Sequence, residues 1–444
     1  MLAREGALKV LYQIDVKEAY SNIALGEEIN NSNYSSLDKG FMTELVYGVL
    51  ENLLLIDYII QQFSSVKLKK IQPWTLNILR LGVYQIRFLD KVPPSAAVNE
   101  SVNLAKKYCN KASGFVNGIL RNIIRNQDKI KLPSPEKDLL KYLSVKYSHP
   151  QWMVKSFLSF YPASFVEDLL KANNETPQLN FRVNTLKTTV VNCIGLLKEQ
   201  GYEVVSNPHL EEAITIKGIS NLSDLELLKK GLLYIQDFSS MLIAKIVDPR
   251  AGEFIIDVCS APGGKTTHMA QLMENKGIII ARDIYDHKLK LIKKNAERLG
   301  IEIIKTEKFD ALKEDRELFE KADRVLVDAP CSGLGIIRRK PEIKYRKQPD
   351  DIVAITELQL KILKNAARYV KNGGYLIYST CTIDPRENGG VIEGFLSESS
   401  GFQLIDVAKE YNELIPGEHK NKTIQLYPNL HNTDGFFVAK LLKK

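Results

Sequence analysis

Two cysteines stand where thiol chemistry is possible. Cys331 lies in Asp328-Ala-Pro-Cys-Ser-Gly333 and Cys381 in Tyr378-Ser-Thr-Cys-Thr382. Each motif closes a run that reads as a strand, Arg324–Asp328 and Gly374–Thr380. If those strands are neighbours in a parallel sheet, both thiols open onto one pocket. The remaining cysteines, Cys109, Cys193 and Cys259, add no C-x-x-C pair, and no His cluster accompanies them. That pattern argues against a structural zinc site and a disulfide framework, and no metal is expected.

A thiolate in such a pocket suits nucleophilic catalysis on an electron-poor ring. Carbon 5 of a cytosine is a poor nucleophile until a thiolate adds to carbon 6. A proton or strong hydrogen bond at N3 then draws the electrons in the productive direction. Carbon 5 can accept a methyl group, lose its proton and release the thiolate. Methylation of an oxygen or a nitrogen would need neither cysteine.

A second cluster is the loop Asp257-Val-Cys-Ser-Ala-Pro-Gly-Gly-Lys-Thr-Thr267, which follows a predicted strand over Phe254–Val258. Gly263 and Gly264 let the backbone approach a ligand, and a helix starting there offers free N–H groups. A phosphate loop would need Gly at position 259, which is Cys, and the dinucleotide fingerprint G-x-G-x-x-G is absent. S-adenosylmethionine carries no phosphate and fits better. It needs a carboxylate for its ribose diol at the end of the second strand, where Asp283 closes Gly277–Asp283. Asp310 follows a third predicted strand, Ile301–Thr306, and Asp328 ends the fourth. Any one of these acids could be a helix cap. Four after successive strands point to a ligand crevice.

These residues need a scaffold. From about Gly231, β-branched runs alternate with helical patterns such as His287–Leu299 and Asp351–Val370. The expected fold is α/β and Rossmann-like, a mostly parallel doubly wound sheet covered on both faces. Thr423–Leu426 and Gly435–Leu441 should form an antiparallel hairpin at its edge. With 444 residues, two or three domains are expected. Residues 1–130 read as an all-α bundle, 131–150 as a proline-bearing linker, 151–230 as a small α/β unit and 231–444 as the domain of the cysteines.

The net charge is +8, unevenly spread. Residues 51–140 hold fourteen basic and seven acidic side chains, whereas residues 1–50 hold four and seven. Ser332–Lys347 carries Arg338, Arg339, Lys340, Lys344, Arg346 and Lys347 against Glu342 alone. Such runs are either solvated faces or phosphate-binding surfaces. Beside the reacting thiols the second reading is the better one. Arg4, Glu5 and Lys9 interrupt the first ten residues, and Asp57 breaks the richest apolar run, Leu53–Ile60. A soluble, cytoplasmic monomer with no membrane contact is expected.

At CSAPGGKT (259–266), DAPCSG (328–333), YSTCT (378–382) and GFFVAKL (435–441), the sequence resembles the RNA 5-methylcytosine methyltransferase family. GLGIIRRKPEIKYRK (333–347) resembles the segment after that family's fourth strand. Val98-Asn-Glu100 and Phe115-Val-Asn-Gly-Ile-Leu-Arg121 resemble NusB, an RNA-binding helical bundle, a combination that points to the branch acting on 16S rRNA. Asn180-Phe-Arg-Val-Asn184 resembles the family's small RNA-recognition-like module, which makes Arg182 an expected RNA contact. The resemblance implies that Cys381 is the nucleophile, that Cys331 helps release product, and that Asp328 holds the base near N3. It further implies that Cys259, Ser260, Ala261, Pro262, Gly263, Gly264, Lys265, Asp283, Asp310 and Asp328 bind S-adenosylmethionine, and that ribosomal RNA is the partner. A transfer-RNA enzyme and a non-catalytic RNA-binding assembly factor are the alternatives. The helical region argues against the first, and the intact Cys331, Cys381 and Asp328 against the second.

Overall fold

The computed structural model describes residues 2–30, 33–219, 222, 225–413 and 422–444. The chain divides into two compact units. One comprises the residues up to Thr176 together with Ile337–Lys347; the other comprises Pro177–Ile336 and Gln348–Lys444.

The first unit is helical, with no strand among its described residues. Its long helices are Leu2–Lys17, Ser36–Glu51, Pro73–Phe88, Pro94–Tyr108 and Ser113–Arg125. Pro73 and Pro94 open their helices in the first turn, where the missing N–H costs nothing. Ser35 caps the helix Ser36–Glu51 by accepting from Asp38 N. Helix Pro73–Phe88 runs through the middle and is buried continuously from Thr75 to Gln85. Its one buried cation, Arg80, donates to both oxygens of Asp57 at 2.8 Å. The span expected to be a linker contains a helix, Leu139–Lys146, capped by Asp138 and holding Leu143 and Val145 inside. Pro133 and Pro135 precede that helix rather than break it.

The segment Ile337–Lys347 completes this unit and corrects one expectation. Lys344 is fully buried, so it presents no charge to RNA. Its ammonium donates to Glu51 O and Asn174 Oδ1, both at 2.9 Å, and burial lowers its pKa to about 7 against the pull of Glu51. Tyr345 OH donates to Leu50 O at 2.8 Å, and Glu342 accepts from Ser21 N and Oγ at 3.1 and 2.8 Å. Arg338 is 4% exposed, while Arg339 and Lys340 are half-buried. Ile337 and Ile343, spaced among the basic residues, turn the stretch inward.

The second unit holds two sheets. In the smaller, β1 (Asn180–Val183), β2 (Glu203–Ser206), β3 (Ala213–Lys217) and β4 (Leu233–Ile235) lie in the order β2-β3-β1-β4, all antiparallel. Phe181, Val183, Ile214 and Leu233 pack there against Cys193 and Leu197 of helix Val190–Glu199. The larger contains β5 (Phe254–Asp257), β6 (Ile278–Asp283), β7 (Ile304–Lys308), β8 (Ala322–Asp328), β9 (Val370–Thr380), β10 (Phe402–Ile405), β11 (Ile424–Leu426) and β12 (Phe436–Lys443). Its order is β10-β12-β9-β8-β5-β6-β7, with β11 beside β12, and β9-β8-β5-β6-β7 run parallel. Alternation sends Ile255, Leu326 and Ile377 into one core and Ile256, Val325 and Tyr378 into the other.

The C-terminal strands do pair antiparallel, but β12 is not at the edge. It lies between β9 and β10. Phe436 to Leu441 are buried on both sides, a pattern that only an interior strand satisfies. The order reverses at β5, since β6 and β7 lie on one side of it and β8 and β9 on the other. That reversal opens a crevice at the carboxyl ends of β5 and β8.

Asp57→Ala should leave Arg80 charged and buried, destabilising the helical unit by roughly 3 kcal/mol. Both tryptophans, Trp74 and Trp152, belong to that unit, so their fluorescence in urea reads the loss.

Candidate active site

The crevice is built from strand ends. β5 stops at Asp257, and the loop after it turns into helix Gly264–Leu272. Gly263, the residue before that helix, has φ +98°, a conformation open to glycine. Ser260 donates through both N and Oγ to Arg282 O at 2.9 Å, which ties the loop to β6. Asp257 Oδ2 accepts from Thr266 Oγ1 at 2.7 Å, whereas its Oδ1 is buried without a hydrogen-bond partner. Burial pushes this carboxyl up to about 7; the Thr266 bond opposes the rise and the Asp328 charge adds to it.

At the end of β6, Asp283 accepts from Tyr285 N at 3.0 Å, and the next residue, Ile284, is exposed. The two offer a carboxylate beside an apolar face. Asp310 follows β7, is half-buried and accepts from Leu312 N at 3.0 Å. Cys259 lies within the field of Asp257, Asp328 and Asp283; burial first, and those charges after it, push its thiol far above the ordinary range. It is therefore a neutral wall residue, and these acids converge on one place.

β8 and β9 pair with Asp328 opposite Ser379. Ser379 Oγ donates to Asp328 Oδ1 at 2.9 Å, and Lys265 Nζ donates to Oδ2 at 2.7 Å. Burial works against the Lys265 ammonium, but Asp328 more than offsets it and holds the amine above its ordinary value. Lys265 also stands 4.8 Å over the Phe436 ring. The sequence placed Lys265 with the cofactor; the structure brings it to Asp328 and within the field of Cys381 as well.

The two thiols meet. Cys331 Sγ and Cys381 Sγ are 3.2 Å apart, within hydrogen-bond range for sulfur. The bond to Cys381, and burial after it, raise the Cys331 thiol well above its ordinary value. Either sulfur can donate to the other across this contact. Gly335 N donates to Cys381 O at 3.0 Å and the Gly335 carbonyl accepts from Gly435 N at 2.8 Å. A side chain at Gly335 would put its Cβ 2.0 Å from Gly435 O, so only glycine admits this contact.

Arg182 is not on the surface. It is fully buried, donating to Gly264 O at 2.9 Å, to Thr267 Oγ1 at 3.0 Å and to Gln236 Oε1. Burial lowers its pKa to about 10. Its charge binds helix Gly264–Leu272 to the small sheet instead of meeting RNA. His268 of the same helix bonds Glu212 Oε1 at 2.9 Å. Sequence reading missed Ser379, whose place opposite Asp328 depends on strand register. It missed Glu387 too, although that acid stands six residues beyond Cys381.

A doubly wound parallel sheet with this glycine loop and these strand-end acids is a Rossmann-like methyltransferase domain. The family model described as 16S rRNA methyltransferase RsmB/F matches residues 244–442. A NusB family model matches 1–125, and a model of the RsmF/B-like ferredoxin-like domain matches 149–223. A Bacillus subtilis (strain 168) protein named probable ribosomal RNA small subunit methyltransferase B is 40% identical, across 99% of this chain and 98% of its own. The solved structure of PH0851 is similar with a TM-score of 0.86 and 30% identity, covering 100% of this chain and 98% of that one. NSun6 from Pyrococcus horikoshii, solved with SFG, has a TM-score of 0.59 and 26% identity over 66% of this chain and 98% of its own. The chain belongs to the RsmB/F family of 16S rRNA methyltransferases, with a NusB family domain at its front.

Because folding holds a proton on Asp257 that the unfolded chain releases near pH 4, stability should fall as pH rises from about 4 to 7. Asp257→Asn removes that loss. Unfolding curves of the two proteins should diverge across this window by at most about 1.4 kcal/mol per pH unit, the wild type becoming relatively weaker toward pH 7.

Proposed function

We propose that this chain methylates carbon 5 of a cytosine in 16S rRNA, using S-adenosylmethionine and a covalent thiolate step. The observation that carries the reading is the Cys331–Cys381 contact of 3.2 Å beside the Asp328–Lys265 pair. The relatives' names support ribosomal RNA as substrate. The S-adenosylmethionine analogue in the NSun6 structure supports the cofactor.

The residues present fit that cofactor. The glycine loop 259–265 leaves its backbone open, Asp283 would hold the ribose diol, and the orphaned Asp257 Oδ1 would gain from a nearby cation. When bound, the cofactor supplies an electrophilic methyl group on a sulfonium. Cys381 begins the chemistry: its thiolate forms a C–S bond at carbon 6, and the displaced ring electrons pass to carbon 5 and N3. Asp328, part-exposed and held by Lys265 and Ser379, meets the base at its N3 edge. Carbon 5 takes the methyl group and must then lose its proton. Cys331 gives its own proton to the departing Cys381 sulfur and takes up the one from carbon 5. The C–S bond breaks, aromaticity returns, and the pair loses one proton to solvent before the next cycle. A base within folded RNA must be unstacked to reach the crevice.

Cys381→Ala should abolish turnover and form no adduct with a 16S rRNA transcript. Cys331→Ala should attack, transfer the methyl group and stall, giving a slow band on a denaturing gel. The reverse pattern would exchange the two roles, and an active Cys381→Ala enzyme would remove thiol addition from the mechanism. Separately, Asp283→Ala should weaken S-adenosylmethionine binding by roughly 1–3 kcal/mol in calorimetry while leaving RNA affinity in place.

A further inference from the structure

One acidic side chain next to the thiols has no role in the steps above. Glu387 lies in the turn after Cys381 and is fully buried. Its Oε1 accepts from Ser332 Oγ at 2.5 Å and from Thr382 Oγ1 at 3.1 Å. Its Oε2 accepts from Ser332 N at 2.8 Å and from Gln359 Nε2 at 3.0 Å. Gln359 also donates to Pro330 O at 3.0 Å, and Tyr378 OH donates to the Glu387 carbonyl at 2.6 Å. Ser332 and Thr382 are the residues directly after Cys331 and Cys381, and their hydroxyls stand 2.9 Å apart.

We propose that Glu387 is the positioning residue of the two-thiol reaction: its carboxylate grips the residue after each cysteine and so fixes where the two sulfurs stand. The inference rests on the covalent reading above. Strand pairing brings the loops near each other, but it ends at Asp328 and Ser379. Beyond that point Cys331 stands in a loop, while Cys381 follows the last β9 residue paired with β12, its carbonyl held by Gly335 N. Backbone bonds alone still leave side-chain freedom larger than a sulfur–sulfur hydrogen bond tolerates. A carboxylate with four donors, two on each oxygen, closes that gap. Burial raises the Glu387 carboxyl, while the Ser332 N–H and the Gln359 amide, which can only donate to Oε2, pull the other way and favour the anion. That charge acts on Cys331. The ionisable groups around Cys331 are Cys381, Glu387 and Tyr378, with Asp384 and Arg386 flanking Glu387. Glu387 is among the groups that keep Cys331 protonated.

Glu387→Gln separates charge from shape, because the two hydroxyls can turn to accept from the new amide. The free variant should keep its S-adenosylmethionine affinity, and Cys331 should be alkylated by iodoacetamide about three- to tenfold faster at pH 7.5, its pH profile moved downward. Mass spectrometry of the Cys331 and Cys381 peptides reads both sites. On a 16S rRNA transcript, kcat should fall by about tenfold or more with KM within about twofold, as for an interaction made in the transition state. Thr382→Val cuts one arm and keeps the charge; it should lower kcat without moving the alkylation profile. Unchanged alkylation and unchanged kcat in Glu387→Gln overturn the proposal. So does a fall in kcat with an unmoved Cys331 profile, which would make Glu387 a packing residue only. A wild-type enzyme that forms no adduct and methylates no cytosine in the transcript overturns the covalent reading instead, and the alkylation result tells the two failures apart.

Discussion

Parallel pairing of β8 with β9, in the register that sets Asp328 opposite Ser379, is the constraint from which the site follows. A strand advances about 3.3 Å per residue, so a slip of two residues would part the thiols by roughly 7 Å and leave each alone. A slip of one would turn Tyr378 out of one core and Ile377 out of the other. The two apolar layers therefore hold the register, and the register holds the chemistry. Hydrophobic burial is non-directional, yet through strand alternation it specifies a sulfur–sulfur distance.

Electrostatics refines what packing places. Asp257, Asp283 and Asp328 converge at one end of the sheet, where like charges in a poorly hydrated setting repel. Two responses are visible. Asp257 retains its proton toward neutral pH, and Lys265 is drawn to Asp328. Behind them, Arg182 and His268 fasten the loop's helix to the small sheet. The glycine loop is thereby braced through the helix that follows it.

Much of this was legible in the residues. Strand-end motifs revealed the crevice because β-branched runs and abrupt Gly or Pro stops are local properties. The convergence of Cys331 with Cys381 followed once the strands were taken as parallel neighbours. What escaped depends on distant partners. Lys344 and Arg182 read as surface cations, because a basic side chain in sequence carries no mark of its burial; only Glu51, Asn174, Gln236 and Gly264, far along the chain, supply the acceptors that make burial tolerable. β12 looked like an edge strand because its nearest sequence neighbour, β11, was the obvious partner, whereas β9 and β10 claim its two sides. Glu387 stood in plain view, but its worth lies in two turns that only the folded sheet juxtaposes.

The helical unit is discontinuous in the chain, and this has a consequence for biosynthesis. Its last piece, Ile337–Lys347, leaves the ribosome about 160 residues after Thr176. At ordinary elongation rates that interval is on the order of ten to thirty seconds. Throughout it Leu50 O, Glu51 O, Asn174 Oδ1 and Ser21 lack the partners that Tyr345, Lys344 and Glu342 later bring. The nascent helices must wait, incomplete, while the loop bearing Cys331 is being made. The unit that comes first in translation is thus sealed late, by a segment that begins six residues after Cys331.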